Sequence, residues 1–152
     1  MFTVNDDYKK FIQGVFKANQ YFGEPALLLQ RPYLAYTVAI KDTELILVDR
    51  PGFLKLLEED KTFNMNLIET LSNRLFYKSM MLEEIANEQA EHRLSTLISY
   101  LGKNMESGAA LNITRQALAE MSGLRVETVI RAMKKIAEAG QIILIKGKMF
   151  KA

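Results

Sequence analysis

Ile113-Thr114-Arg115-Gln116-Ala117-Leu118-Ala119-Glu120-Met121-Ser122-Gly123-Leu124-Arg125-Val126-Glu127-Thr128-Val129-Ile130-Arg131-Ala132-Met133-Lys134-Lys135-Ile136 is the stretch on which the fold turns. Two short amphipathic segments flank Ser122-Gly123-Leu124. Ala119 lies four residues before the glycine, and Val129 six after it. A small residue lets two helices approach at a steep angle, glycine supplies positive φ, and an aliphatic residue locks the second helix. The pattern predicts a helix-turn-helix whose second helix turns Arg125, Glu127 and Arg131 outward, where side chains can reach base edges.

The charge distribution agrees with that reading. The whole chain carries a net charge of +2, but residues 112–152 hold eight Lys/Arg against three Asp/Glu. Residues 1–111 hold twelve against fifteen. The basic excess belongs to the segment with the helix-turn-helix, as binding to a polyanion requires.

Composition narrows the remainder. A chain of 152 residues, 49% hydrophobic and 25% charged, is an ordinary globular sequence with room for one large domain or two small ones. It has no cysteine, which excludes disulfides, thiolate zinc sites and a cysteine-ligated iron–sulfur cluster from this segment. No apolar run approaches the length of a membrane span and no secretory leader is visible, so the expected location is the cytoplasm. Catalysis is not expected: the chain has no cysteine nucleophile, no metal-spaced His/Asp/Glu cluster and no phosphate-cradling Walker loop.

Outward from the opening stretch, the first 50 residues read as β-structure. Phe2–Val4 leads to a turn at Asn5-Asp6-Asp7, followed by the apolar runs Phe11–Phe16, Leu34–Ile40 and Leu45–Val48. Phe11, Phe16, Tyr21 and Phe22 are expected in the core of this β-domain. Pro51-Gly52 opens a short helix, Phe53 to Glu59. From about Thr62 to Asn87 the period becomes helical: Ile68, Leu71, Leu75, Leu82 and Ile85 step by threes and fours, with Lys78 the one polar member. A seam sustained over about three heptads suits a two-chain coiled coil, the other reading being a helix packed on its own β-domain. A further helix, Glu88 to Lys103, precedes a loop at Glu106-Ser107-Gly108. Gly140 ends the second helix of the opening motif, and Ile142 to Phe150, broken at Lys146-Gly147-Lys148, reads as a hairpin wing.

This organisation resembles the Crp/Fnr family of bacterial transcription regulators. Besides the helix-turn-helix, Tyr21-Phe22-Gly23-Glu24-Pro25-Ala26-Leu27-Leu28 looks like the family's Phe-Gly-Glu-x-Ala-Leu-Leu stretch, which begins its phosphate-binding cassette. The resemblance implies an α+β chain: a partial jelly-roll β-sandwich over residues 1–60, a dimerisation helix over 61–87, and a winged helix-turn-helix over 88–152. Family members carry further strands ahead of this point, so the sandwich is expected to lack roughly 40 or more residues of its strands.

In the cyclic-nucleotide binders of the family the cassette ends in Arg-Ser or Arg-Ala, and the arginine pairs with the cyclic phosphate. Alignment from Gly23 and Glu24 puts Tyr33 and Leu34 at those positions, with Ala35 next. A phenol and an isobutyl group cannot neutralise a phosphate, and Arg31 lies two positions off along the chain. The effector pocket is therefore read as degenerate, with cyclic AMP not expected to bind tightly and the effector unknown. Glu24, which in the binders accepts from the ribose hydroxyl, has a structural reading as well, bonding turn amides. His92, the single histidine, is read as a surface or hinge residue rather than a haem ligand.

The resemblance also sharpens the DNA reading. Glu127 and Arg131 stand at i and i+4 on one helical face, with Arg suited to guanine and Glu to cytosine N4. Val-Glu-Thr-Val-Ile-Arg looks like the Fnr-type Val-Glu-Thr-Ile-Ser-Arg, and Val126 in place of an arginine favours a TTGA-like half-site. Arg125 is assigned to a phosphate or a base. Phosphate contacts are assigned to Thr114, Arg115, Gln116, Thr128, Lys134, Lys135, Lys146 and Lys148. The implied partners are double-stranded DNA, a second copy of the chain joined along Ile68, Leu71, Leu75, Leu82 and Ile85, and RNA polymerase, with no membrane. A helix-turn-helix that docks proteins without reading DNA is the alternative.

Overall fold

A computed structural model describes residues 1–87 and 89–152. Glu88, where the sequence reading begins the second helix and the DNA-binding segment, lies outside the described residues.

The chain opens with a small hairpin, β1 (Phe2–Val4) against β2 (Lys10–Ile12), antiparallel with Phe2 opposite Ile12. Tyr36 adds an isolated bridge to Phe2, and the two rings stack at 5.7 Å. Three of the expected β-runs depart from the reading: Phe11–Phe16 is strand only as far as Ile12, Leu34–Ile40 contributes only that bridge, and Leu45–Val48 forms no strand. For the last two the physical reason is that a strand exists only with a neighbour for its amides and carbonyls, and no described segment supplies one. The apolar side chains of these two stay exposed, Ile46 and Leu47 at 93% each. The residues around Gly23 form a short helix, α1 (Glu24–Leu29), which alternation alone does not forecast.

Helices follow where the sequence has start signals. Asp49 caps α2 (Arg50–Glu59), its carboxylate accepting from the Gly52 amide at 2.9 Å, and Pro51 occupies the first turn. Asp60 repeats the device for α3 (Lys61–Asn87), accepting from the amides of Thr62 and Phe63 at 2.9 Å. Phe53 is buried between these helices, edge-on to Phe63. At 27 residues, α3 is a rod about 40 Å long.

The apolar seam of α3 is not uniformly exposed within the chain. Ile68, Leu75, Leu82 and Ile85 are exposed, but Leu71 is half-buried. Leu71 lies about 40° around the helix from Leu67, so it flanks the inward stripe of Leu67, Arg74 and Met81. The outward residues that remain in line, Ile68, Leu75 and Leu82, are spaced by seven.

The C-terminal half has its own core. α4 (Ala90–Leu101), α5 (Arg115–Ser122) and α6 (Val126–Glu138) pack with a three-stranded sheet of order β3-β5-β4, formed by Ala110–Leu111, Lys148–Lys151 and Ile142–Ile145. Leu94, Leu97, Leu118 and Val129 are fully excluded from solvent at its centre. Each fully buried aliphatic side chain contributes about 1.5–3 kcal/mol of transfer free energy. The sequence reading missed β3, whose two residues are too few for alternation to register.

Candidate nucleic-acid interface

α5 begins at Thr114, whose hydroxyl accepts from the Ala117 amide at 3.0 Å, and ends at Gly123. Gly123 has φ +70, a conformation that costs other residues a steric clash and here turns the chain toward α6. The buried Ser122 hydroxyl donates back to the Leu118 carbonyl at 2.6 Å, so the tightest point of the turn leaves no orphaned hydroxyl. Arg125 occupies the N-cap position of α6. Val129, Ala132, Met133 and Ile136 bury one face of α6, as the spacing around Gly123 requires.

The other face carries the assigned base readers. Arg125, Glu127 and Arg131 are exposed, together with Lys134 and Ile130. Val126 is half-buried and packs against the core, and Thr128 is half-buried too. Lys135, assigned to phosphate, is bonded to Glu91 of α4 at 2.9 Å. Lys146 and Lys148 are exposed at the tip of the β4–β5 wing. Arg115 is not a free surface cation: its guanidinium donates to the Gly147 carbonyl at 2.6 Å, and Gln116 donates to Glu120 at 2.8 Å.

Around the cassette, the structure joins residues distant in sequence. Glu24 is buried, and a guanidinium nitrogen of Arg74, from mid-α3, donates to its Oε1. The second Arg74 nitrogen donates to the Tyr21 carbonyl at 2.5 Å. The guanidinium also lies over the rings of Phe16 at 5.2 Å and Tyr21 at 5.3 Å, both within cation–π range. Glu24 therefore has a structural partner, but it is Arg74 rather than the turn amides expected from sequence. Phe16, Tyr21 and Phe22 are half-buried around this cation, and the Phe16 and Phe22 rings meet at 5.1 Å. Phe11 points elsewhere: its ring comes within 3.9 Å of the space beside Gly123, while neighbouring Ile12 packs on the C-terminal core. Tyr33 lies over Gly23, its ring 3.1 Å from where a Cβ would stand, and Leu34 is exposed.

A second polar cluster joins α3 to the helix-turn-helix. Glu84, nearly buried, accepts from the Thr96 hydroxyl at 2.8 Å, and its other oxygen lies 2.8 Å from Nδ1 of His92. Arg93 donates to the carbonyls of Glu84 and Ile85 at the end of α3, and to that of Ser122 at the turn. His92 thus sits exposed in the first turn of α4, near the α3–α4 junction. Tyr77 of α3 stacks on Tyr100 of α4 at 3.9 Å. Burial, with a smaller contribution from Tyr100, pushes the Tyr77 hydroxyl up to about 12. Apolar spacing does not register either cluster; the one local sign is a cation or carboxylate interrupting the inward stripe of α3.

Residues 92–150 match the Crp-like helix-turn-helix domain family, and residues 1–60 match the cyclic nucleotide-binding domain family. The chain is 32% identical over 127 residues to the cyclic AMP receptor protein of Thermus thermophilus, covering 83% of this chain and 58% of that one. It is 26% identical over 144 residues to the cAMP-activated global transcriptional regulator CRP of Haemophilus influenzae, covering 91% and 64%. The chain thus spans less than two thirds of the length of both curated relatives. In structure it is similar to a CRP/FNR-family transcriptional regulator from Thermus thermophilus, with TM-score 0.70, 21% identity and coverage of 99% and 76%. It is also similar to the Thermus thermophilus catabolite activator protein, with TM-score 0.52, 26% identity and coverage of 99% and 70%. The chain thus joins a cyclic nucleotide-binding domain match to a Crp-like helix-turn-helix domain match.

Proposed function

We propose that this chain is the DNA-reading and dimer-forming part of a transcription regulator that binds a palindromic site with TTGA-like half-sites. The observation that carries the proposal is α6, where Val129, Ala132, Met133 and Ile136 are buried while Arg125, Glu127 and Arg131 stay exposed at its start and over its first two turns. Such a helix presents its first turns to the major groove. Val126, half-buried at the start of α6, keeps an apolar contact for a thymine methyl. Lys134, Lys146 and Lys148 supply exposed cations for phosphates. Thr128 and Gln116 are the neutral phosphate candidates, and Lys135 is already paired with Glu91.

Residues 1–60, 61–87 and 88–152 form the sensor-like, dimerising and DNA-binding portions of this reading. Two copies meeting along Ile68, Leu75, Leu82 and Ile85 place their α6 helices in successive major grooves, about 34 Å apart. RNA polymerase is the further partner proposed, and the cytoplasm the compartment; no described helix is long and apolar enough to cross a membrane. The proposed effector is other than cyclic AMP. The support is Tyr33 standing over Gly23, and Arg74 already holding Glu24. A catalytic role is not part of this reading.

The test is a gel shift on a palindromic TTGA-type duplex across a salt series, with scrambled duplex as competitor. Specific binding that falls steeply with salt is the expected result. Equal, salt-insensitive retention of both duplexes would favour a protein-docking helix-turn-helix instead.

A further inference from the structure

The wing is held at two ends by different means. At its base, β5 pairs with β3, Ala110 opposite Phe150 and Leu111 opposite Met149, so the inner strand is tied to the segment leading into α5. Its tip is a two-residue turn, Lys146-Gly147, with φ +45 and +79. Both residues in the left-handed region make a type I′ hairpin turn, matched to the twist of the strands. The space around Gly147 is open, with no atom within 4 Å of a Cβ placed there. The Gly147 carbonyl accepts from Arg115 in the first turn of α5, at 2.6 Å.

We infer that Arg115 is a positioning residue that braces the wing tip against α5, so that Lys146 is presented to a DNA phosphate next to the one met by the start of that helix. The inference rests on the DNA-binding reading and adds to it a role that a free phosphate-binding arginine would not have. A guanidinium has five N–H donors, so bonding one carbonyl leaves others for an adjoining phosphate. An unbraced two-stranded ribbon beyond β3 is marginal by itself, and its tip would sample many positions. Removing Arg115 therefore takes away its own phosphate contact and the fixed placement of Lys146 together.

The experiment measures the salt dependence of binding to the palindromic duplex for the whole chain and for Arg115→Ala, Lys146→Ala and the double variant. Each phosphate contact contributes about 0.9 to the slope of log K against log salt. Lys146→Ala is expected to lower the slope by about 1, Arg115→Ala by about 2, and the double variant no further than Arg115→Ala. Without DNA, hydrogen exchange at the Lys148 amide is expected to quicken about tenfold in Arg115→Ala, with the amides of α6 unchanged as a control on folding. Independent, additive losses of about 1 each, or unchanged exchange at the tip, would overturn the brace. Absence of salt-dependent binding by the unmodified chain would sink the DNA reading instead, and the exchange measurement then judges the brace alone.

Discussion

Arg74, midway along α3, holds the buried carboxylate of Glu24 across 50 residues of sequence. Glu24 is the residue at which the family's nucleotide binders meet their ligand, and in this chain its partner is built in. Arg74 also bonds the Tyr21 carbonyl and lies over two aromatic rings, so one side chain ties the cassette to the long helix.

Removing that cation strands a buried charge. Arg74→Ala is expected to destabilise the chain by about 3 kcal/mol, the lower end for a broken buried pair because Arg74 is itself partly exposed. Glu24→Gln, which keeps the shape and removes the charge, costs less. Urea unfolding measures both; equal and negligible losses would mean that the pair contributes nothing.

Isothermal titration of the chain with cyclic AMP is expected to show binding weaker than micromolar. The double change Tyr33→Arg with Leu34→Ser restores a phosphate partner at the family's position and is expected to tighten it. Micromolar or better affinity in the unmodified chain contradicts the degenerate-pocket reading.

Arg131→Ala is expected to cost about 1–3 kcal/mol on the specific site and to flatten base preference in a selection assay. Lys134→Ala is expected to weaken all sequences alike and lower the salt slope by about 1. An unchanged sequence profile after loss of Arg131 removes it from the base readers.

Leu75→Glu and Leu82→Glu are expected to shift sedimentation toward the monomer, because a carboxylate at a coiled-coil core position cannot be buried unpaired. Leu71→Ala, on the inward flank, is expected to lower stability more than self-association. The reverse pattern would make Leu71 a central member of the seam.

Tyr77 gives a pH dependence of known sign. Its folded value of about 12 lies above the ordinary 10, so between these values the folded chain binds more protons than the unfolded one. Stability from this group is complete below pH 10 and is lost as pH rises from 10 toward 12. Tyr77→Phe is expected to flatten that part of the stability curve, measured by denaturant unfolding at pH 9 to 11.5.

Legibility from sequence follows the range of the interactions. The helices of the DNA-binding half are written in local spacing, and Ala119, Gly123 and Val129 forecast their packing correctly because that packing joins residues only ten apart. The wing was legible for the same reason, Lys146-Gly147 being a local turn. The fate of Leu34–Ile40 and Leu45–Val48 was not, since strand formation depends on a neighbour elsewhere in the chain. Neither were Arg74 with Glu24 nor Arg115 with Gly147, which span 50 and 32 residues. A three-four pattern alone does not say that Leu71, unlike Ile68 and Leu75, is half-buried within its own chain.

The spacing of Ile68, Leu75 and Leu82 has a consequence for shape. Seven residues fall about 20° short of two full turns of an undistorted helix, so this row drifts steadily around α3. A pair formed along it must wind left-handed to stay in contact, by about 40° between Ile68 and Leu82. In such a pair the winding of the two helices would set the angle between the two helix-turn-helix units, in the manner of a torsion bar.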